Sequence, residues 1–254
     1  MAKKIAFISA LGGQGTSLSA ACVAGASALE GHSSVLADLC GFRGTLAYML
    51  GVDSGVVMNL GDVASGECPV EDALVRCGEF LQLLPSGQFS GRSPSPLSVE
   101  VRRVIESLAR EYDVFADIPA GTIPDCGMAG CFDMFILCSR PDVMSLKYTA
   151  ALCRFIRMAS AQTTRACEIR LLLTDFTSEY MKRGGVADID FCIDQVGARL
   201  IGVLPHDDSA LSAALSGQPP DSNGPLMCYA RDTAKRIYGE RVALDSRKPF
   251  RLGL

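Results

Sequence analysis

The chain lacks an excess of positive charge, and it also lacks long apolar runs. Its 254 residues include 24 Lys or Arg and 28 Asp or Glu, a net charge of −4. This balance argues against a protein that coats nucleic acid through bulk charge. No run approaches the roughly eighteen apolar residues that span a bilayer. Because 48% of the residues are hydrophobic and 20% are charged, disorder and collagen-like repetition are excluded, and the composition predicts a globular protein.

Metal-ligand spacings are also missing. The eleven cysteines include no C-x-x-C pair, and the two histidines, His32 and His206, are far apart in the sequence. The closest cysteines, Cys126, Cys131 and Cys138, lie in an apolar stretch, where reduced cysteine is a common core residue. We interpret all eleven as thiols, which predicts a reducing, cytoplasmic location.

Short apolar segments of strand length alternate with longer amphipathic segments. Most of the short segments have polar residues or glycine on both flanks, which is typical of strands buried on both faces of a parallel sheet. The alternation predicts an α/β protein with helices on both faces of a mostly parallel sheet of about seven to eight strands. No composition break marks a linker, so residues 1–254 are predicted to form one domain, and only 87–96 has the composition of a long loop. The predicted strands are 5–9, 34–37, 80–84, 114–116, 134–138, 169–173 and 200–203, and the clearest predicted helices are 17–30, 98–111, 146–159 and 189–197.

A glycine-rich turn follows the first predicted strand. Residues 5–17 read I-A-F-I-S-A-L-G-G-Q-G-T-S, a strand that leads through the turn into a helix. Glycines let backbone amides close on a bound anion, and the amino end of the helix adds a partial positive charge. In isolation, a tight strand-to-helix connection explains the turn equally well. The candidate phosphate-binding residues are Gly12, Gly13, Gln14, Gly15, Thr16 and Ser17.

This loop resembles that of the MinD/ParA family of deviant Walker ATPases, which reads K-G-G-x-G-K-[ST]. Both lysines of the pattern are replaced: Leu11 stands at the signature lysine, which reaches the phosphates of the partner subunit, and Thr16 stands at the general Walker lysine. The matching residues are Gly12, Gly13, Gly15 and Ser17.

Later segments resemble the same family in order and spacing, and they favour its MinD branch. Residues 35–38 (V-L-A-D) resemble its second strand, 117–121 (D-I-P-A-G) its Walker B strand and switch II, and 202–207 (G-V-L-P-H-D) its segment near the adenine. Residues 83–87 (L-L-P-S-G) and 248–251 (K-P-F-R) match further family segments.

The resemblance implies a P-loop NTPase-like fold with ATP and magnesium as cofactors. It assigns Asp38 to the catalytic network of magnesium and water, and it makes Ser17 and Asp117 the metal ligands. It places Pro205 beside the bound nucleotide. A strand-terminal aspartate is otherwise often a turn former, and a serine in the first turn of a helix is often a capping residue.

Several positions depart from the family in ways that predict weak or absent ATP binding. No lysine lies between Lys4 and Lys147, and a charged hydrogen bond is worth about 1.5–3 kcal/mol. Cys40 replaces the catalytic aspartate of switch I, and Asp175 replaces the arginine that packs on adenine. Arg43 offers a substitute guanidinium, although a solvated loop arginine is the favoured interpretation.

The sequence predicts protein partners rather than nucleic acid or membrane. Arg102, Arg103 and Arg110 share a predicted helix with Glu106 and Glu111, so we expect a solvated, salt-bridged face. The few residues after the P-F-R segment cannot form the amphipathic membrane helix of the family, so no direct membrane anchor is expected. A homodimer, or a heterodimer with an intact relative, is compatible with the sequence.

The leading hypothesis is a MinD-like scaffold or regulator of a spatial-organisation system, such as division-site or appendage placement, with an impaired nucleotide site. The alternative is a slow Mg-ATPase switch in which loop amides and an arginine such as Arg43 replace lysine. A third hypothesis is an iron–sulfur electron carrier, because the nitrogenase iron protein shares this fold. Cys126 and Cys131 lie near switch II, but their spacing does not match the ligands of that family.

Overall fold

A single eight-stranded sheet runs through the computed structural model, which describes residues 2–41, 45–87, 95 and 98–244. The strands are β1 (Lys4–Ile8), β2 (Ser34–Asp38), β3 (Val75–Arg76), β4 (Leu81–Leu84), β5 (Asp113–Asp117), β6 (Met134–Ser139), β7 (Glu168–Phe176) and β8 (Arg199–Pro205). Their order across the sheet is β3-β4-β2-β5-β1-β6-β7-β8. All neighbours are parallel except β3 and β4. The predicted α/β class and mostly parallel sheet are therefore confirmed.

Helices connect most of the successive strands in the described part of the chain, whereas β3 and β4 follow each other without a helix. They are α1 (Thr16–Leu29), α2 (Thr45–Met49), α3 (Leu60–Ser65), α4 (Val99–Leu108), α5 (Cys126–Cys131), α6 (Val143–Ser160), α7 (Ser178–Arg183), α8 (Ile189–Val196), α9 (Asp208–Leu215) and α10 (Pro225–Ile237). Short 3-10 turns cover Asp53–Gly55 and Val70–Ala73. Within the ranges described, none of these helices has the length and apolar character needed to cross a membrane.

Two hydrophobic clusters cover the two faces of the sheet. In β1, Ala6 and Ile8 point into one cluster with side chains of α4, α5, α6 and α8. The alternate residues Ile5 and Phe7 point into the other, with side chains of α1, α2, α9 and α10. Because successive strand residues face opposite sides, an apolar run such as β1 needs helices on both faces, as the sequence predicted.

The parallel strands bring their carboxyl ends to one edge of the sheet. The glycine-rich loop follows β1, and Asp38 and Asp117 are the last residues of β2 and β5. Loops after β6, β7 and β8 reach the same edge, because these strands follow β1 in the sheet. In open α/β sheets this edge is where ligands bind. Parts of the predicted loop (88–94 and 96), residue 97, Arg43 and residues 245–254 lie outside the described residues.

Candidate functional site

A cavity of about 840 Å³ opens at the carboxyl edge of the sheet. Its walls come from the loop after β1 and from the ends of β5, β6, β7 and β8. Cys40, just beyond β2, also lines the cavity, whereas Asp38 lies behind this wall. The structure therefore brings most of the candidate residues together. Those that line the cavity are Gly12, Gly13, Gln14, Gly15, Thr16, Ser17, Asp117 and Pro205.

The glycine-rich loop has the backbone shape of an anion cradle. Gly13 (φ 73°) and Gly15 (φ 69°) adopt the left-handed conformation, which glycine reaches without a steric penalty. An added Cβ at Gly12 or Gly13 would meet no atom within 4 Å, so a ligand can approach the backbone closely. Gly15 is also the N-cap of α1 and has no side chain to satisfy the first amides of the helix.

Gln14 anchors the loop to the neighbouring strands. Its side-chain Oε1 accepts a hydrogen bond from the backbone N–H of Arg140 at 2.7 Å. Its carbonyl oxygen accepts one from Oγ1 of Thr174 at 2.8 Å. Since the Gln14 side chain is thereby committed to the protein, its contribution to a ligand is the shape of the loop rather than a side-chain contact.

Ser17 lies in the first turn of α1, one residue past the start of the helix. Because Gly15 occupies the N-cap position, the capping explanation of this serine does not apply. The Ser17 hydroxyl instead lies near the carboxyl group of Asp117, where it acts to lower the pKa of that group. This places the two residues predicted to hold a metal next to each other.

Asp38, Cys40 and Asp117 form a compact group that we call the acid–thiol cluster. One candidate ligand atom from each residue lies within 4.8 Å of the other two. Oδ1 of Asp38 accepts the backbone N–H of Cys40 at 2.9 Å, and Oδ2 accepts the hydroxyl of Ser86 at 3.2 Å. Sγ of Cys40 donates to Oδ2 of Asp117 at 3.4 Å. The thiol therefore points at the carboxylate rather than into solvent.

Burial makes both carboxyl groups of this cluster weak acids. Asp38 and Asp117 are each only 1% exposed. The pKa of Asp117 is raised to about 7, mainly by loss of hydration and also by the nearby charge of Asp38, while Ser17 and Cys40 oppose the rise. Burial also raises the pKa of Asp38, although hydrogen bonds from Cys40 and Ser86 oppose this. Neither carboxylate has a cationic partner among the causes of its shift.

A second charged group occupies the cavity at the ends of β6, β7 and β8. Nη2 of Arg140 pairs with Oδ2 of Asp175 at 2.8 Å, and the other Asp175 oxygen contacts Nδ1 of His206. Hydrogen bonding to Asp175 raises the pKa of His206 despite the opposing effect of partial desolvation, and Asp208 adds to the shift. Asp175 sits at φ 52°, a left-handed conformation that aspartate tolerates better than most residues. The sequence had indicated only that an adenine-packing arginine is missing here, not that Arg140 enters from β6.

The described walls of the cavity carry more carboxyl groups than basic side chains. Among the described lining residues there is no lysine, and Arg140 is the single arginine. Asp117, Asp175 and Asp207 bring three carboxyl groups to the same walls. Arg140 is already paired with Asp175, so no uncommitted guanidinium or ammonium group of the described walls faces a triphosphate. By contrast, Ser17 and Asp117 fit a divalent cation by donor chemistry.

The other sequence candidates do not gather into a site. In the described residues, the acid–thiol cluster is the one group of three His, Cys, Asp or Glu side chains close enough to hold a metal. Cys126 is exposed and Cys131 is buried on α5, and among the described residues neither joins such a group. On α4, Arg102 pairs with Asp125 at 3.4 Å rather than with a glutamate of its own helix.

Comparison with known proteins returns no matching family model. The septum site-determining protein MinD of Bacillus subtilis is 27% identical over 96% of this chain and 92% of its own length. MinD of Escherichia coli K12 is 29% identical over 99% of this chain and 94% of its own. Among solved structures, MinD of Aquifex aeolicus superposes with a TM-score of 0.78 at 22% identity, covering 95% of this chain and 99% of the other. Pyrococcus horikoshii MinD complexed with Mg-ADP also has a TM-score of 0.78 at 22% identity, covering 93% and 96%. The loop, the strand-end aspartates, the sheet order and these near-full-length similarities agree, and the chain resembles the MinD proteins of the MinD/ParA family in sequence and in fold.

Proposed function

We propose that this protein is a single-domain, MinD-like component of a division-site or related positioning system that works as a scaffold or regulator through protein partners, with weak or no ATP binding. The relatives named above are septum site-determining proteins. A further structural neighbour is the MinC:MinD complex of Aquifex aeolicus, with a TM-score of 0.78 at 23% identity, which supports a protein as the partner. The observation that carries the proposal is the cavity wall in which the one described arginine, Arg140, is paired with Asp175.

The expected loss of affinity follows from the two missing cations. A hydrogen bond to a charged group is worth about 1.5–3 kcal/mol, so replacing two lysines by Leu11 and Thr16 removes about 3–6 kcal/mol. This corresponds to a dissociation constant for Mg-ATP weaker by about two to four orders of magnitude. The backbone amides of the loop and the amino end of α1 still favour an anion, but they act against the carboxylates of the same walls.

Proteins of this family bind ATP between two subunits, so the formation of their dimer depends on ATP. If Mg-ATP binds this chain, Ser17 and Asp117 are the residues that would hold the magnesium, and the loop glycines would surround the phosphates. Leu11 has no charge to extend across a subunit interface, so an ATP-dependent sandwich dimer is not expected. The compatible assemblies are a nucleotide-independent homodimer and a heterodimer with a relative that carries its own lysine.

Isothermal titration with Mg-ATP tests the proposal. The wild-type chain is compared with Leu11→Lys, Thr16→Lys and the double variant, which restores both family lysines. Leu29→Lys is the matched control, because it adds the same charge at the exposed carboxyl end of α1. We expect no wild-type binding below millimolar concentration and a gain of about two to four orders of magnitude in the double variant. Micromolar binding by the wild type would contradict the proposal, as would a folded double variant that gains nothing over the control.

The second candidate is a slow Mg-ATPase of the same family. The observation that favours it is that Ser17 and Asp117, the two residues expected to hold magnesium, line the same cavity. It predicts phosphate release that disappears in Asp38→Ala and Asp117→Ala. An absence of release from the wild-type protein, at enzyme concentrations where an intact relative turns over, would remove this candidate.

A further inference from the structure

We propose that Asp38, Cys40 and Asp117 bind a thiophilic divalent cation of the Zn²⁺ class, with the remaining coordination position open to the cavity. This inference goes beyond the proposed function, because it requires no nucleotide. It also differs from the magnesium role that the family resemblance implies for Ser17 and Asp117. The residue that makes the difference is Cys40, whose sulfur stands where the family has a carboxylate.

The spacing of the acid–thiol cluster matches tetrahedral zinc. With Zn–S of about 2.3 Å, Zn–O of about 2.0 Å and a tetrahedral angle, sulfur and oxygen ligands are about 3.5 Å apart. Sγ of Cys40 and Oδ2 of Asp117 are 3.4 Å apart. The candidate atoms of all three residues lie within 4.8 Å of one another, so an Asp38 oxygen is close enough to join the same metal after a small side-chain adjustment.

An unsatisfied polar atom independently indicates a missing ligand. Oδ1 of Asp117 is buried and has no hydrogen-bond partner, although the residue is only 1% exposed and lines the cavity. Buried polar atoms are almost always paired, because an unpaired one costs about 1–3 kcal/mol. A cation held by both oxygens of the Asp117 carboxylate would supply the interaction that Oδ1 lacks while keeping the spacing between Oδ2 and Sγ of Cys40.

The surrounding contacts hold the cluster in place for a metal. Asp38 is oriented by the backbone N–H of Cys40 and the hydroxyl of Ser86, and its oxygens keep lone pairs for a metal. Hydrogen bonds of this kind orient the ligands of protein metal sites. Cys40 and Asp117 line the cavity while Asp38 lies behind it, so the fourth position faces the cavity. Three protein ligands and one open position are the arrangement of reactive zinc sites.

The donor set selects the cation. A thiolate is a soft ligand that favours Zn²⁺ over Mg²⁺, which takes oxygen ligands in octahedral geometry. When the metal–sulfur bond forms, the Cys40 thiol releases its proton to solvent. The positive charge of the bound metal then offsets the negative charges of two carboxylates and one thiolate. Without the metal, these buried charges would repel each other.

Titration of the full-length, nucleotide-free chain with metal salts tests the proposal. After removal of metals by a chelator, Zn²⁺ affinity is measured by competition with a chromophoric chelator, and Co²⁺ is used as a spectroscopic probe. We expect one tightly held Zn²⁺ per chain and a sulfur-to-cobalt charge-transfer band in the near ultraviolet. Cys40→Ser should abolish the band and weaken Zn²⁺ binding about tenfold or more. Cys126→Ser, which removes an exposed thiol outside the cluster, should change neither.

A second measurement avoids any dependence on the folding of the variant. In the wild-type chain, alkylation of Cys40 is followed by mass spectrometry with and without Zn²⁺, and we expect the metal to slow it and a chelator to restore it. Cys40→Asp should lose the cobalt band and shift the preference toward Mg²⁺. A wild-type chain without the band, a band retained in Cys40→Ser, or equal alkylation of Cys40 with and without Zn²⁺ would each overturn the proposal.

Discussion

Replacing Asp117 by Asn should make the metal-free protein more stable, and the gain should grow as the pH rises. In the folded chain, burial raises the pKa of Asp117 to about 7 from its ordinary value of 3.8. Below pH 3.8 the group is protonated in both states and contributes nothing to the pH dependence. Between the two values the folded state holds a proton that the unfolded state has lost, so the free energy of unfolding decreases with rising pH.

The size of the effect follows from the two pKa values. The difference between about 7 and 3.8 corresponds to a loss of about 4 kcal/mol once the pH exceeds both. Of this, about 2–3 kcal/mol is lost between pH 5 and pH 8. Asn has nearly the same shape and no ionisable group, so the stability of the variant relative to wild type should increase by that amount over the same interval.

Urea denaturation of both proteins at pH 5 and pH 8, with a chelator present, provides the measurement. Asp194→Asn, which removes the same charge from an exposed position on α8, is the matched control. If both variants change the free energy of unfolding with pH in the same way, that change is caused by the loss of one negative charge and not by the burial of Asp117. If the advantage of Asp117→Asn over wild type stays constant or shrinks from pH 5 to pH 8, the argument from burial is wrong.

Three further predictions concern the loop, the core and the rim of the cavity. Gln14→Ala should lower the free energy of unfolding by about 1–3 kcal/mol in urea titrations, because it leaves a backbone N–H without its acceptor, and Gln14→Glu, which keeps that acceptor, should recover most of the loss. Gly202→Ala should cost about 1–3 kcal/mol, since the new Cβ would lie 2.3 Å from Oγ1 of Thr233, and the cost should be smaller in a Thr233→Ala background. The pKa of His206, followed by NMR titration, should lie above 6.5 and fall in Asp175→Asn, and an unchanged value in that variant would contradict the assigned contact.

The seven strands predicted from the sequence are all present, with ends that shift by three residues or fewer. They were predictable because burial on both faces makes each one a short, nearly continuous apolar run. The strand β3 has only two residues at the edge of the sheet, too few to produce a pattern. The helix α10 was missed although its signal is present: Pro225 stands at its first position, and Leu226, Ala230, Ala234 and Ile237 follow at helical spacing.

The candidate site divides in the same way. The loop glycines and the strand-end aspartates belong to local motifs, so the sequence alone was enough to predict that they lie at one candidate site. The ion pair between Arg140 and Asp175, and the contact of Asp175 with His206, join the ends of three different strands. Those contacts form because β6, β7 and β8 are neighbours in the sheet. The order of strands in a sheet cannot be predicted from the sequence of any one segment. The proximity of Cys40 to Asp117 likewise depends on β2 lying beside β5.

The backbone of the loop favours an anion, whereas the carboxyl groups of the cavity walls favour a cation. Both proposals, weak ATP binding and a metal at Cys40, follow from this difference. The loop between Gly12 and Ser17 presents an open backbone to an anion, yet its two family lysines are absent. The walls instead carry more carboxylates than cations, and Asp117 keeps a buried oxygen without a partner. A buried carboxylate is stabilised by a neighbouring cation or by protonation. Since the described walls offer no free basic side chain, the proposed divalent metal at Cys40 would neutralise the charged form, and the cavity would then favour a cation over a triphosphate.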